Sequence, residues 1–91
     1  MDDIEIKFRL EGLVEQLASA EHERWAHWQR HMHNQGRLLN DGSLILPAEL
    51  VARWESQIAR SYAELTEAEK DSDRDQVRRY MPILVKALTA T

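Results

Sequence analysis

Apolar side chains between residues 8 and 34 recur at intervals of three, four and seven. They are Leu10, Leu13, Val14, Leu17, Ala18, Trp25, Trp28 and Met32. These intervals place the side chains on one face of an α-helix of about 40 Å. An interruption at residues 18–20 would divide this segment into two helices. Residues 1–7 alternate between apolar and polar, which fits a short strand or a frayed lead-in, and we favour the lead-in.

The helical pattern stops at Gly36, because glycine takes the left-handed conformation at a helix end without strain. Residues 37–46 then contain two short apolar runs on either side of Asn40, Asp41 and Gly42. An Asp-Gly pair between apolar runs is typical of a tight hairpin turn. We therefore predict a small β-hairpin or a structured loop in this segment.

The remaining chain predicts two more helices. Pro47 suits the first turn of a helix running from Ala48 to about Arg60. Thr66 and Glu69 have the spacing of a capping box, in which side chain and backbone cap each other, so the next helix starts at Glu67. Its apolar face comprises Val77, Tyr80, Met81, Leu84, Val85 and Leu88.

Pro82 interrupts the hydrogen bonding of that last helix. A proline has no backbone N–H to donate, so we expect either a kink near Arg78 or a fresh helix start. The pattern as a whole predicts a mainly α protein with three main helices and a short hairpin, forming a single domain over residues 1–91.

Size and charge restrict the possible functions. A chain of 91 residues buries only about 60–65% of its unfolded surface, and dimerisation is a common way to cover the rest. The net charge of −4 argues against nucleic-acid binding. No apolar run reaches the roughly 20 residues of a membrane span. The acidic residues 1–5 lack signal-peptide features. We therefore expect a cytoplasmic protein without nucleic-acid or membrane partners.

Residues 20–28 hold two tryptophans, two histidines, two glutamates and an arginine. His22 and Glu23 begin like a zinc-protease motif, which needs its two histidines four residues apart on one helical face. Here the second histidine, His27, is five residues away, about 140° around the helix. The metalloprotease hypothesis is therefore rejected.

His27 and His31 do have the spacing that could hold a metal, with Glu23 one turn earlier. A hydrated polar face is the simpler interpretation, since a structural zinc needs four ligands and no further ligand cluster is visible. The chain has no cysteine, which excludes disulfides, thiolate metal sites and a cysteine nucleophile. We predict neither a metal nor a cofactor.

Two further groups allow a structural and a functional interpretation. His22 and Trp25 share a helical face, either to fix the packing of the third helix on the first or to line a ligand groove. Arg74 and Arg78 lie one turn apart and either form salt bridges with nearby acids or hold a phosphate. The sequence shows no nucleophile elbow, no carboxylate pair and no Gly-rich phosphate loop. No catalytic residue is therefore predicted.

Two runs of the sequence belong together. They are His22-Glu23-Arg24-Trp25-Ala26 and, later, Tyr62-x-Glu64-Leu65-x-Glu67-x-Glu69-Lys70-x-x-Asp73-Arg74. In combination they resemble the RyR domain, the repeat found as tandem pairs in ryanodine receptors. The resemblance covers about residues 15–90, and the chain is most similar to the small stand-alone versions found in bacteria and their phages.

This resemblance implies a helical domain in which two repeats pack about an approximate two-fold axis, so a lone repeat would form a homodimer. It also implies that the domain is not catalytic and that its ligand is nucleotide-like. The ligand-binding candidates are the motif residues together with Arg78, namely His22, Trp25, Tyr62, Glu69, Asp73, Arg74 and Arg78.

Two functional hypotheses result. In the first, the module binds or sequesters a small anionic nucleotide-like ligand, with an aromatic ring on the base and arginine on the phosphate; in a phage it would be a counter-defence sponge. In the second, it is a protein-interaction or assembly adaptor without a small ligand. A concave pocket with converging arginine and aromatic groups would favour the first, and an exposed apolar surface the second.

Overall fold

The computed structural model describes residues 1–89, which form four helices and one two-stranded hairpin. The elements in chain order are α1 (Asp3–Glu11), α2 (Val14–Asn34), β1 (Arg37–Leu38), β2 (Leu44–Ile45), α3 (Ala48–Ala59) and α4 (Glu67–Thr89). A short 3₁₀ turn, Tyr62–Glu64, joins α3 to α4. The mainly helical class and the hairpin are confirmed, but the main helices number four instead of three.

The additional helix is α1, where a frayed lead-in or a strand was expected. The Asp2 side chain caps it by accepting a 2.8 Å hydrogen bond from the Glu5 N–H. Ile6 is half-buried on one side of α1, whereas Ile4 and Phe8 are exposed on the other. Apolar residues on both sides of one helix produce an alternating sequence, and this resembled a strand.

The break between α1 and α2 falls at Gly12 and Leu13, not at residues 18–20. Glycine is about 1 kcal/mol less favourable than alanine inside a helix, so Gly12 is the weakest point of the segment. The Leu13 N–H reaches back to the Leu10 carbonyl at 3.0 Å, and α2 then runs through residues 18–20 without interruption.

The hairpin after α2 follows the predicted turn. Strand β1 pairs antiparallel with β2, and Leu38 lies opposite Leu44. Gly42 has φ 89°, and the Asp41 carboxylate accepts a 2.9 Å hydrogen bond from the Ser43 N–H. Among the described residues only Gly42 has a positive φ, so the left-handed conformation expected at Gly36 is wrong.

Gly36 instead lies at a close approach of the hairpin. A Cβ at this position would lie 3.3 Å from both Leu44 Cβ and Leu46 Cδ2. Helix α2 nevertheless ends at Asn34, close to the predicted stop. The glycine lets the hairpin fold closely against the end of the helix.

Helices α3 and α4 start where the sequence predicts. Pro47 directly precedes α3, and the capping box before α4 is complete. In that box the Glu69 N–H donates to Thr66 Oγ1 at 3.2 Å, and the Thr66 N–H donates to Glu69 Oε1 at 2.9 Å. Helix α4 continues through Pro82 to Thr89, so the alternative of a fresh helix start is wrong.

Helix α4 is the element against which α1 and α2 pack. Helix α1 packs along α4 and α2 contacts it, and the Arg9 guanidinium on α1 donates a 3.2 Å hydrogen bond to the Ala87 carbonyl. The chain measures 54 × 34 × 17 Å, whereas one helix with its side chains is about 10–12 Å across. The chain is therefore much thinner in one direction than in the other two.

A consequence of this shape is that no residue among 1–89 is fully buried. The radius of gyration is 18.2 Å, compared with about 12 Å for a compact domain of this length. The apolar contacts form a partly open seam between α1, α2 and α4. Of the helices in the described part of the chain, none combines the length and apolar character required to cross a membrane.

Candidate functional site

A shallow groove lies where the 3₁₀ turn meets the first half of α4. It is open to solvent, has a volume of about 270 Å³, and is lined by Tyr62, Asp73, Arg74, Val77 and Arg78. Four of the seven predicted ligand-binding residues therefore lie together. We call this feature the Tyr62 groove.

Local capping places Tyr62 at the groove. Ser61 precedes the 3₁₀ turn, and its N–H and hydroxyl donate to Glu64 Oε1 at 3.1 and 2.8 Å. These bonds hold the pKa of Glu64 below its usual value, with the Ser61 side chain as the largest cause. On the other side of the groove, residues 73, 74, 77 and 78 recur at helical spacing on one side of α4.

Arg74 forms salt bridges with two carboxylates of its own helix. It donates to Asp71 Oδ1 at 2.8 Å and to Glu67 Oε2 at 3.0 Å. The hydrogen bond to Asp71, followed by that to Glu67, raises the pKa of Arg74 above its usual value. A phosphate entering the groove would have to compete with both carboxylates.

Arg78 and Tyr62 at the groove also have partners. Arg78 donates to Asp75 Oδ1 at 3.1 Å, although both side chains remain exposed. Lys70 Nζ lies 5.6 Å from the centre of the Tyr62 ring, within cation–π range. The structure thus contains the predicted salt bridges of Arg74 and Arg78. Exposed pairs of this kind are weak and can be exchanged for another partner.

Glu69 lies outside the groove and connects two helices. Besides capping α4 with Thr66, it accepts a 3.1 Å hydrogen bond from Arg60 at the end of α3. The backbone N–H of Thr66 is the largest cause that lowers the pKa of Glu69 to about 2. Its contacts therefore make it a residue that positions α4 relative to α3.

His22 and Trp25 form a separate pair on α2. Their rings stack with centres 5.9 Å apart and planes inclined by 25°, and both side chains are exposed. Neither residue lines the Tyr62 groove. Their exposure does not fit the structural alternative, in which they fix the packing of α4 on α2.

The link between α2 and α4 is made instead by residues that the sequence analysis missed. Tyr80 Oη donates a 2.8 Å hydrogen bond to Glu21 Oε2, and Arg24 donates to both oxygens of the same carboxylate. The bond from Arg24, then that from Tyr80, lowers the pKa of Glu21 to about 2. The three-residue spacing of Glu21 and Arg24 predicts their ion pair, but nothing local indicates Tyr80.

A pair of tryptophans joins α2 to α3. The rings of Trp28 and Trp54 meet edge to face, with centres 5.8 Å apart and planes at 70°. Trp28 also contacts the ring of His31 at 5.5 Å, so this histidine has an aromatic neighbour. Residues 1–89 contain no group of three or more histidine or acidic side chains able to hold a metal ion.

Several large apolar side chains of the described chain are exposed. On α4, Val77, Met81 and Val85 are spaced by four residues and are all about half exposed; we call them the α4 stripe. On α1, Ile4 and Phe8 are about 80% exposed on the side opposite the half-buried Ile6. Both helices therefore carry apolar side chains that no other described element covers.

Three comparisons, with protein-family models, with curated proteins and with solved structures, find no match for this chain.

Proposed function

We propose that this chain is a non-enzymatic helical assembly module that acts by associating with polypeptide, first of all with a second copy of itself. The observation that supports this most is the amount of surface that the single chain leaves open. The RyR resemblance implies the same two-fold pairing and the same lack of catalysis.

The excess surface has the size of an interface. The accessible surface of a folded monomer follows about 6.3 M^0.73 Å², where M is the mass in daltons, which is about 5,500 Å² for 10.7 kDa. The chain exposes 7475 Å². The difference is about 2,000 Å² per chain, so a pair would bury about 4,000 Å² in total, within the range of obligate dimers.

The apolar character of the exposed residues supports a protein partner over a small ligand. Exposed apolar patches mark interaction surfaces in proteins, and the α4 stripe is a row of such side chains. The Tyr62 groove, by comparison, is open, and its two arginines already contact carboxylates. A polypeptide can cover several helical faces at once, whereas a ligand in this groove covers none of α1.

The test is the oligomeric state and its connection to folding. Sedimentation equilibrium between about 0.5 and 100 µM should give twice the chain mass at the upper end. The thermal midpoint should rise with protein concentration, because association and folding are linked. A chain that stays monomeric at every concentration and still unfolds cooperatively, with a midpoint independent of concentration, would exclude the proposal.

The second candidate function is binding of a small anionic, nucleotide-like ligand in the Tyr62 groove. The observation that favours it is that Tyr62, Asp73, Arg74 and Arg78 line one depression. Tyr62 would stack on a base, and Arg78, whose partner Asp75 is fully at the surface, would exchange that carboxylate for a phosphate.

Calorimetric titration against mononucleotides, cyclic nucleotides and ADP-ribose-type ligands tests this function. The Arg78→Ala and Tyr62→Ala variants should each weaken a detected ligand about tenfold or more, since each removes a charge-assisted bond or a stacking surface. Arg53→Ala, on exposed α3, is the matched control. Absence of heat and of thermal shift over the whole panel would exclude ligand binding without affecting the assembly proposal.

A further inference from the structure

We propose that the α4 stripe is the centre of the self-association surface, and that α4 pairs antiparallel with α4 of a second copy about a two-fold axis through Met81. This inference rests on the assembly function proposed above and specifies its partner and geometry. It starts from the arrangement of residues on α4.

The stripe is symmetric about Met81. Val77 precedes Met81 by four residues and Val85 follows it by four, so the three side chains lie along one side of the helix over about 12 Å. A two-fold interface requires a surface that is complementary to itself. With Met81 on the axis, Val77 meets Val85 of the partner subunit, and Met81 meets the partner's Met81.

The charges beside the stripe favour the antiparallel direction. In this register Arg74 lies across from Leu88 of the partner subunit, Arg78 from the partner's Leu84, and Lys86 from the partner's Gln76. In a parallel pair with the same residues aligned, each of these cations would face its own copy. Like charges placed directly opposite each other across an interface are unfavourable, and the antiparallel pair places none of these three cations opposite its own copy.

The exposures fit a surface that still lacks its partner. Val77 is 58%, Met81 47% and Val85 55% exposed, whereas Leu84 and Leu88 beside them are half-buried. The apolar face of α4 is thus wider than the part that α1 and α2 cover. In the pair, Val85 of the partner subunit would lie against Val77, which lines the Tyr62 groove.

Cysteine cross-linking tests the register, because the chain has no cysteine of its own. Packed helices lie about 8–10 Å apart and their Cα atoms about 2.3 Å from each axis, so two Met81 positions on the axis come within disulfide distance. The Met81→Cys variant should therefore form a covalent dimer under a mild oxidant. Val77→Cys alone should not, since its two copies lie about 12 Å apart along the pair.

A mixture completes this test. Val77→Cys and Val85→Cys chains, mixed and re-equilibrated before oxidation, should cross-link with each other while neither cross-links alone. Efficient cross-linking of Val77→Cys with itself would indicate a parallel pair and would overturn the proposal.

A charge substitution provides an independent measurement. Met81→Glu places two like charges on the axis and should raise the dimer dissociation constant on the order of 100-fold or more. Ile58→Glu is the control, since Ile58 is an exposed apolar residue on α3 and should leave the constant unchanged. A dimeric Met81→Glu chain without Met81→Cys cross-links would overturn this interface but retain the assembly function. A monomeric wild-type chain would overturn both.

Discussion

The phenol of Tyr80 on α4 donates a 2.8 Å hydrogen bond to the Glu21 carboxylate on α2, between residues 59 positions apart in the chain. Arg24 of α2 donates to the same carboxylate, so Glu21 takes part both in the contact between the two helices and in an ion pair within α2. The carboxylate raises the pKa of the Tyr80 phenol. Because no residue among 1–89 is fully buried, this polar contact between distant segments supports the arrangement of the helices.

Acid should weaken the fold through this carboxylate. The folded-state pKa of Glu21 is about 2, below its usual 4.5, so its stabilising contribution is complete above pH 4.5 and disappears as the pH falls towards 2. Thermal melts between pH 7 and 2 should show the midpoint falling mainly in this interval. Glu21→Gln should lower the midpoint at pH 7 and reduce its pH dependence, whereas Glu23→Gln, exposed on the same helix, should change neither.

Part of the acid slope should remain in Glu21→Gln. Glu69 also has a pKa of about 2 and loses its cap and its Arg60 partner over the same interval. Equal slopes for the wild-type chain and Glu21→Gln would contradict the role assigned to Glu21.

Removing the N-cap of α4 should destabilise the chain. Thr66→Ala deletes the hydroxyl that accepts the Glu69 N–H, which costs about 1 kcal/mol for a typical cap. For a domain of this size that corresponds to a midpoint lower by about 4–8 °C. Thr66→Ser keeps the acceptor and should retain most of the stability. An unchanged midpoint in Thr66→Ala would show that α4 does not depend on this cap.

Replacing Gly42 or Gly12 by alanine should change the free energy of unfolding differently. Gly42→Ala forces an alanine to φ 89° and should cost about 1–2 kcal/mol, although nothing lies near its Cβ. Gly12→Ala adds a Cβ in helical backbone, with the Arg9 carbonyl 3.4 Å away, and should be neutral or stabilising by up to about 1 kcal/mol. Chemical denaturation at fixed protein concentration measures both, and a stabilised Gly42→Ala would contradict the turn.

The tryptophan contact between α2 and α3 should appear as an energetic coupling. Edge-to-face aromatic pairs contribute about 0.5–1.5 kcal/mol beyond the area they bury. A double-mutant cycle with Trp28→Leu and Trp54→Leu should give a coupling of this size. The same cycle with Trp25→Leu in place of Trp28→Leu is the control and should be additive.

Most of what the sequence predicted correctly depends on local rules. Each of these correct features involves at most four consecutive residues, so the sequence specifies it directly. They are the Asp-Gly turn, the proline before α3, and the capping box of Thr66 with Glu69. Helix α1 was not predicted, because apolar residues on both of its sides give the sequence the period of a strand.

The candidate site was predictable only in part for a related reason. Arg74 and Arg78 lie one turn apart on one helix, and Tyr62 is close to them in sequence, so their convergence needs only the 3₁₀ turn. His22 and Trp25 are on α2, and the contact of Glu21 with Tyr80 joins this helix to α4. Exposed polar residues 59 positions apart give no periodic signal from which this contact could be inferred.

The 17 Å thickness of the chain has a consequence for how it folds. Most of its contacts lie within single helices, which form in about a microsecond, so the local steps are fast. If a second copy covers the exposed apolar faces, the rate-limiting step is the encounter of two preformed chains. Refolding after dilution from denaturant should then be second order, with a half-time that halves when the protein concentration doubles.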